Sequence, residues 1–313
     1  MNSNSDKQHN DPKSAALMAL AMAIFGTIGI FRRMIPLSSA WVAFFRGAIG
    51  SLFLIAFVWA SHKSGRRKAL DRATMARLVI SGALIGVNWA LLFEAYNYTT
   101  VSVATLCYYM APTFVIIFSR LIFRDRLTPV KIACTVTSLI GMVFVSGVAG
   151  GGGSSGGVIL PDISGMLSGG LSGEAKGVLF GLGAAVLYAS VVLINKSIKT
   201  SDPYNKTIVQ LVAATAVLIP YLILKDGAPA AEWNIELIAL LITVGIVHTG
   251  LSYALYFGSM EGLTTHTVAI FSYIDPVTAL VLSHVLLHEE LSFFGIFGAV
   301  LILGSALISG LKT

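Results

Sequence analysis

Arg46, Glu94, His248 and Asp275 are ionisable side chains that lie within long apolar stretches of this sequence. Charged groups are costly to bury unless they are paired or hydrated, so each of the four is a candidate functional residue. Arg46 carries a planar fork of N–H donors, which suits a carboxylate on a small molecule. A structural ion pair with Glu94 is the alternative use of the same guanidinium, and the sequence leaves both open.

Asp275 directly precedes Pro276 in the middle of its apolar stretch. Proline lacks a backbone N–H and leaves one carbonyl of the preceding turn without a donor. A carboxylate beside such a break can bind an ammonium group or carry a proton, whereas a carboxyl that only caps the kink is the alternative. His248 stands alone in its stretch, where it either bonds a neighbouring helix or takes part in a proton relay.

Amide and aromatic side chains accompany these groups, since Asn88, Trp89, Tyr109 and Tyr273 also lie deep in apolar stretches. For the aromatic residues, packing or lipid contact is the alternative to lining a cavity. Apolar, aromatic walls with a few polar anchors suit an amino acid or a similar small amphiphile. We predict a substrate-binding site formed by Arg46, Asn88, Trp89, Glu94, Tyr109, His248, Tyr273 and Asp275.

The composition indicates that these residues lie in a membrane protein. Of the 313 residues, 56% are hydrophobic and only 12% are charged, whereas soluble domains carry about 25% charged residues. A helix needs ~20 apolar residues to cross the hydrocarbon core of a bilayer. The sequence predicts ten such helices, at residues 14–34, 38–60, 74–97, 101–123, 129–148, 176–196, 207–225, 236–258, 264–287 and 293–311.

The predicted helices fall into two groups of five. We predict a cytoplasmic N-terminal tail (residues 1–13), a first five-helix repeat (14–148), a Gly/Ser-rich external linker (149–175) and a second five-helix repeat (176–311). With the N-terminus inside, 16 of the 21 lysines and arginines lie on the cytoplasmic side. Because positive charge concentrates in cytoplasmic loops, both termini are predicted to be cytoplasmic, in the cell's inner (plasma) membrane.

The two groups share a sequence pattern at a constant offset of 164 positions. Residues 107–128, "CYYMAPTFVIIFSRLIFRDRLT", align without a gap to residues 271–292, "FSYIDPVTALVLSHVLLHEELS". The alignment pairs Tyr109 with Tyr273, Pro112 with Pro276, Ala111 with Asp275, Asp125 with Glu289, and Arg46 with Gln210. An odd number of crossings per repeat inverts the second copy, and inverted repeats are typical of secondary transporters that work by alternating access.

At these positions the chain resembles the EamA-type members of the drug/metabolite transporter superfamily over about residues 14–311. The shared features are the arginine early in the second helix ("AFFRGAIGSLF"), a proline in helices four and nine, and the acidic motifs "RDRLT" and "HEELS" that follow. The resemblance implies ten helices in two inverted repeats that export or exchange small metabolites, often amino acids. The basic "RLIFRDR" departs from the family pattern, so a role for Asp125 does not follow from the resemblance.

Three functional classes are compatible with a chain of this composition. The sequence lacks HExxH and GxSxG motifs and its histidines are scattered, which disfavours an intramembrane enzyme. A channel would carry a continuous polar lining or a ring of charges. We therefore predict a non-enzymatic secondary transporter without a cofactor or a bound metal. Its expected partners are a small-molecule substrate, the lipid bilayer and, as a candidate coupling ion, the proton. We expect no nucleic acid, and a monomer or homodimer.

Overall fold

The computed structural model describes residues 11–61, 71–123, 128–145, 173–198, 202–229, 231–260, 262–263, 265–290 and 292–311. All regular elements within these ranges are helical. Residues 1–10 of the predicted N-terminal tail, nearly all of the predicted linker and Asp125 lie outside the described residues, so the predictions for them stay predictions.

The helices follow one another closely along the chain. They are α1 (Pro12–Gly26), α2 (Ile28–Met34), α3 (Ser39–Ala60), α4 (Arg72–Tyr98), α5 (Val101–Tyr108), α6 (Ala111–Phe123), α7 (Pro129–Val145), α8 (Gly173–Lys196), α9 (Pro203–Tyr221), α10 (Ile235–Gly245), α11 (Ser252–Met260), α12 (Thr265–Phe271), α13 (Ile274–Leu287) and α14 (Phe293–Leu311). A π-helical segment at Leu222–Asp226 extends α9, and a second at Ile246–Leu251 joins α10 to α11.

Length and apolar composition identify the membrane-crossing helices of the described residues. Seven stretches are long and apolar enough, namely Pro12–Met34, Ser39–Ala60, Arg72–Tyr98, Val101–Ile122, Gly173–Lys196, Pro203–Asp226 and Ile235–Met260. The apolar helices Pro129–Val145, Ile274–Leu287 and Phe293–Ile308 are shorter. The chain is therefore an all-helical, multi-pass membrane protein, while the count of ten crossings stays a prediction.

Two of the predicted helices are interrupted beside a proline, and the stretch at residues 14–34 also breaks at Thr27, between α1 and α2. The stretch at residues 101–123 breaks between α5 and α6, and the one at 264–287 breaks between α12 and α13. Pro112 is the second residue of α6 and Pro276 the third of α13, positions at which a missing N–H costs no intrahelical hydrogen bond. Each proline therefore begins a new helix segment, and Tyr109 and Tyr273 lie at the two breaks.

Close packing of α4 against α8 and α9 supports the centre of the bundle. A Cβ atom on Gly86 would collide with the backbone carbonyl of Ala214 on α9, and one on Gly82 with that of Gln210. Glycine at both positions lets the two helix backbones approach closely, as is common between membrane helices. This contact places the inner faces of α4 and α9 on a shared cavity.

Candidate functional site

A cavity of about 600 Å³ lies at the centre of the bundle. Helices α3, α4, α8, α9, α11 and α13 contribute to its wall, together with α1 and the α5–α6 break. Its volume lies within the range of ~300–1,000 Å³ that is usual for small-molecule sites.

The cavity brings together most of the predicted site residues. Five of the eight line it: Arg46, Asn88, Trp89, Tyr109 and Asp275. The other three, Glu94, His248 and Tyr273, are not among the lining residues. The repeat pairs Tyr109 with Tyr273, yet only the first contributes to this wall.

Arg46 is held at two sides of its guanidinium. Its Nε donates a hydrogen bond of 2.9 Å to Oγ1 of Thr249. The guanidinium carbon lies 4.3 Å from the centroid of the Trp89 ring and 5.7 Å from that of Phe93, both distances within cation–π range. Within the described part of the chain, Nη1 and Nη2 donate no hydrogen bond, so the paired edge of the fork remains available in the cavity.

Asp275 lies on the first turn of α13, directly after the α12–α13 break. Its Oδ2 accepts a hydrogen bond of 2.8 Å from the Tyr109 hydroxyl, which belongs to the other broken helix. The bond therefore joins the two breaks across the cavity. Because Oδ1 accepts no hydrogen bond from the described residues, the carboxylate keeps a free acceptor for a ligand or a proton.

Aromatic rings form much of the remaining wall. Tyr108 packs against Tyr188 with ring centroids 5.4 Å apart, and Tyr253 stacks on Phe257 at 5.9 Å. All four side chains line the cavity. Ring faces attract ammonium groups and also pack against apolar side chains, so this wall suits an amphiphilic ligand.

Asn88 and His248 make contacts between helices. The Asn88 amide donates to the Ala184 carbonyl at 2.5 Å and joins α4 to α8, although Asn88 also lines the cavity. Nε2 of the buried His248 hydrogen-bonds the Thr27 hydroxyl at 2.7 Å. Of the two roles considered for His248, the structure therefore shows the hydrogen bond to a neighbouring helical segment.

Glu94 does not contact Arg46, so the Arg46–Glu94 ion-pair interpretation is wrong. Its Oε2 instead accepts hydrogen bonds from Ser39 Oγ at 2.6 Å and from Asn97 Nδ2 at 3.0 Å. Arg32 donates to both of these partners and completes what we call the Arg32 cluster (Arg32, Ser39, Glu94, Asn97). Since Ser39 lies level with Glu94, Arg46 lies seven residues, or ~10 Å, farther along α3.

Glu289 forms a second polar cluster that links the two halves of the chain. Its carboxylate accepts hydrogen bonds from the backbone N–H groups of Val101 and Ser102, at 3.0 and 3.2 Å, at the start of α5. Arg33 lies 3.4 Å away in an ion pair. We call these four residues the Glu289 cluster. A carboxylate is favoured at a helix N-terminus, where unpaired N–H groups and the helix dipole attract it.

Lining residues of the cavity reach the end of the bundle at which α9 starts. Ser38 at the start of α3 hydrogen-bonds Asp226, whereas Tyr204 at the start of α9 packs on Phe57 near the end of α3. The start of α9 is therefore opposite to the Arg32 and Glu289 clusters. Lining residues reach the α9 start, and they include Asn195, Pro203, Lys206 and Met260. No member of either cluster lines the cavity.

Sequence reasoning did not identify Thr249 or the contacts of Glu289. Glu289 had a detectable signal, because it occupies the acidic position of the repeated motif. Thr249 had none, since a buried threonine in an apolar helix is ordinary. Among the described residues, no three His, Cys, Asp or Glu side chains converge as a metal site would require.

Comparison with known proteins gives a consistent family assignment. The sequence profile of the EamA-like transporter family matches residues 12–147 and again residues 175–311. The uncharacterized transporter YxxF of Bacillus subtilis is 27% identical over 292 residues, which cover 93% of this chain and 88% of that protein. An uncharacterized transporter of Archaeoglobus fulgidus is 23% identical over 298 residues, or 94% of this chain and 95% of that protein.

A solved structure shares the fold. This crystal structure of a protein aligns with a TM-score of 0.62 over 95% of this chain and 96% of that chain, at 19% sequence identity. The structural similarity supports the arrangement of the helices. The low sequence identity carries no information about a substrate.

Proposed function

Since this chain belongs to the EamA-like transporter family, we propose that it is a secondary transporter of a small metabolite with an amino and a carboxyl group, such as an amino acid. The observation that carries the proposal is the unpaired Nη edge of Arg46 in the same cavity as the Asp275 carboxylate. Arg46 binds the substrate carboxylate through two parallel N–H···O bonds. The substrate ammonium lies near Asp275 and the tyrosine rings, and its side chain packs on the aromatic wall.

Ten membrane helices in two inverted repeats are part of this proposal. The family profile matches the chain twice, which supports two copies of one unit. Helix contacts also occur in pairs that exchange the two halves: α4 with α8 corresponds to α11 with α1, and α4 with α9 to α10 with α3. In the contacts of α3 with α9 and of α7 with α14, the two helices are equivalent members of the two repeats, so exchanging the halves leaves each contact unchanged.

The residue paired with Arg46 in the repeat provides a more local correspondence. Gln210 of α9 donates hydrogen bonds to Ser81 of α4 at 2.6 Å and to Asn195 of α8 at 2.8 Å. Arg46 of α3 makes the equivalent contact in the other half, since it donates a hydrogen bond to Thr249 in the π segment before α11. Both residues line the cavity, so the proposed site lies at the interface of the repeats, where inverted-repeat transporters bind substrate.

Alternating access requires that one end of the cavity closes while the other opens. The distribution of lysines and arginines supports an orientation with the start of α9 at the cytoplasmic side and the Glu289 cluster at the external side. In this orientation, within a plasma membrane and with both termini in the cytoplasm, the structure corresponds to an inward-facing form. The hydrogen bonds from Val101 and Ser102 to the Glu289 carboxylate then hold the external ends of the two halves together.

A ligand screen on the purified protein tests the two-anchor site. We expect the melting temperature to rise with at least one zwitterionic L-amino acid, because a ligand at 100 times its Kd stabilises the folded state by ~2.7 kcal/mol. The matched amine without the carboxyl group and the matched acid without the amino group should each stabilise far less. The same amino acid should exchange across proteoliposomes that contain the protein. Equal stabilisation by all three compounds, or by none of the zwitterions, contradicts the proposal.

A further inference from the structure

The π-helical segment Ile246–Leu251 changes the hydrogen bonding of the span that carries Thr249. Three side chains bond carbonyl groups five residues earlier. Thr249 Oγ1 bonds Val244 at 3.1 Å, Ser252 Oγ bonds Val247 at 2.8 Å, and His248 Nδ1 bonds Thr243 at 3.4 Å. Short π-helical turns are rare and occur frequently at functional sites.

Thr249 is fully buried, and its hydroxyl has two defined partners. Its Oγ1 donates to the Val244 carbonyl, which orients the oxygen lone pairs away from that carbonyl. The same oxygen accepts the hydrogen bond from Arg46 Nε at 2.9 Å. The π-helical turn therefore supplies one acceptor for Arg46 at a fixed place.

Glycine makes this bond possible by bringing α3 close to the π segment. A Cβ atom on Gly50 would lie 2.7 Å from the Cβ of Thr249, so no larger residue fits there without a shift. Gly245 and Gly250 make equally close approaches to Ile49 and Phe53 of α3. The two helices meet on a surface of small residues, and Arg46 lies one turn from its centre.

The Nε bond and the Trp89 ring together define the guanidinium orientation. A guanidinium is planar, so holding Nε and one face leaves only the Nη edge free. Removal of the Thr249 hydroxyl would leave the guanidinium of Arg46 free to rotate over the Trp89 ring. The positive charge in the cavity would stay the same.

We infer that Thr249 is a positioning residue that orients Arg46 for bidentate recognition of a planar carboxylate, and thereby sets the preference of the cavity for carboxylates. The positioning follows from the contacts of Arg46 alone. The preference for carboxylates rests on the proposed function.

Trp89 fluorescence tests the positioning without any substrate. Trp41, Trp59 and Trp233 are not among the residues that line the cavity, so replacing each with phenylalanine leaves Trp89 as the single tryptophan of the four. In this background, we expect Thr249→Val to shift the emission spectrum and lifetime toward those of Arg46→Ala. Thr249→Ser keeps the hydroxyl and should match the parent protein. Equal emission for the parent and Thr249→Val overturns the inference.

Ser252→Ala is the matched control, because it removes another side-chain bond of the same π turn without touching Arg46. Its emission should equal that of the parent. An equal change in Ser252→Ala and Thr249→Val would show a general effect of the π turn and would overturn the specific role of Thr249.

Binding of L-phenylalanine and L-phenylalaninamide to the same variants tests the preference for carboxylates. We expect the affinity ratio of acid to amide to fall about 10-fold in Thr249→Val and to stay unchanged in Thr249→Ser. An unchanged ratio in Thr249→Val overturns the role in specificity. If the parent binds neither compound, the proposed function loses support, whereas the Trp89 emission still decides the positioning.

Discussion

Replacing Asp275 with asparagine is expected to abolish pH-driven accumulation of substrate, while exchange without a gradient continues. Asparagine keeps the size of the side chain and an oxygen that accepts the Tyr109 hydrogen bond, but it cannot take up a proton. The aromatic wall and Arg46 still bind the zwitterion, so exchange without a gradient should continue within about 10-fold of the wild-type rate. Accumulation driven by a pH difference in proteoliposomes should fall to the level of empty vesicles.

A second variant separates coupling from geometry at this position. Tyr109→Phe removes the hydrogen bond to Asp275 but leaves the carboxylate able to exchange a proton. We expect Tyr109→Phe to retain accumulation, with an altered affinity. If Asp275→Asn concentrates substrate against a gradient as the wild type does, Asp275 is structural and the coupling residue lies elsewhere.

Replacing Arg46 with lysine should raise the KM for the amino acid about 10- to 100-fold, which is the effect of losing a charge-assisted hydrogen bond at a bidentate site. Lysine keeps the positive charge near Trp89, but it has neither the paired Nη edge nor the Nε donor that Thr249 accepts. The protein should remain folded, because the charge and most of the buried volume persist. The measurement is the initial rate of exchange against substrate concentration, together with the melting temperature.

Arg77→Lys provides the matched control for the Arg46 prediction. Arg77 is an exposed residue of α4 that donates to the Ser197 carbonyl and does not line the cavity. Its replacement should leave both the KM and the melting temperature unchanged. An unaltered KM in Arg46→Lys would exclude bidentate carboxylate binding by this residue.

The positions of the helices and the break beside Pro276 could be predicted from the sequence, because both depend on local chemistry. Apolar stretches of sufficient length indicate membrane helices. A proline inside such a stretch lacks the N–H that a continuous helix needs, so it favours the first turn of a new helix segment. Pro112 and Pro276 behave in this way in both halves. Arg46 and Asp275 were predicted as candidates because a charge in an apolar helix requires a partner or water.

The partners of these residues could not be predicted, because they depend on how helices cross. Glu94 is close to Arg46 in the helix order but lies ~10 Å along the helix axis from its level, a difference that depends on the relative shift of α3 and α4. The π-helical turn adds one residue to a helical turn, which rotates Thr249 relative to the regular periodicity. Hydrophobic spacing contains no signal for either effect.

The repeat likewise predicted equivalent positions but not equivalent environments. Tyr109 lines the cavity and donates its hydroxyl hydrogen bond to Asp275. At the corresponding place in the first half stands Ala111, which offers Tyr273 no acceptor. The two copies therefore differ at both positions, since Tyr109 and Asp275 line the cavity whereas Tyr273 and Ala111 do not.

In the proposed mechanism, one cavity opens to each side of the membrane in turn. The accessibility of a cysteine at Ala279, which lines the cavity one turn beyond Asp275, tests this proposal most directly. Replacing the two native cysteines, Cys107 and Cys134, with alanine makes the added cysteine the only thiol of the chain. Ala279→Cys should react with a small impermeant thiol reagent from the cytoplasmic side. Adding Glu289→Gln should loosen the external contact and raise labelling from outside several-fold.

Glu290→Gln, at the exposed neighbouring position, is the control and should leave the labelling pattern unchanged. The predicted result is access from one side at a time, with Glu289→Gln shifting it from the cytoplasmic to the external side. Labelling that is equally fast from both sides, or that never occurs from outside in Glu289→Gln, would contradict alternating access.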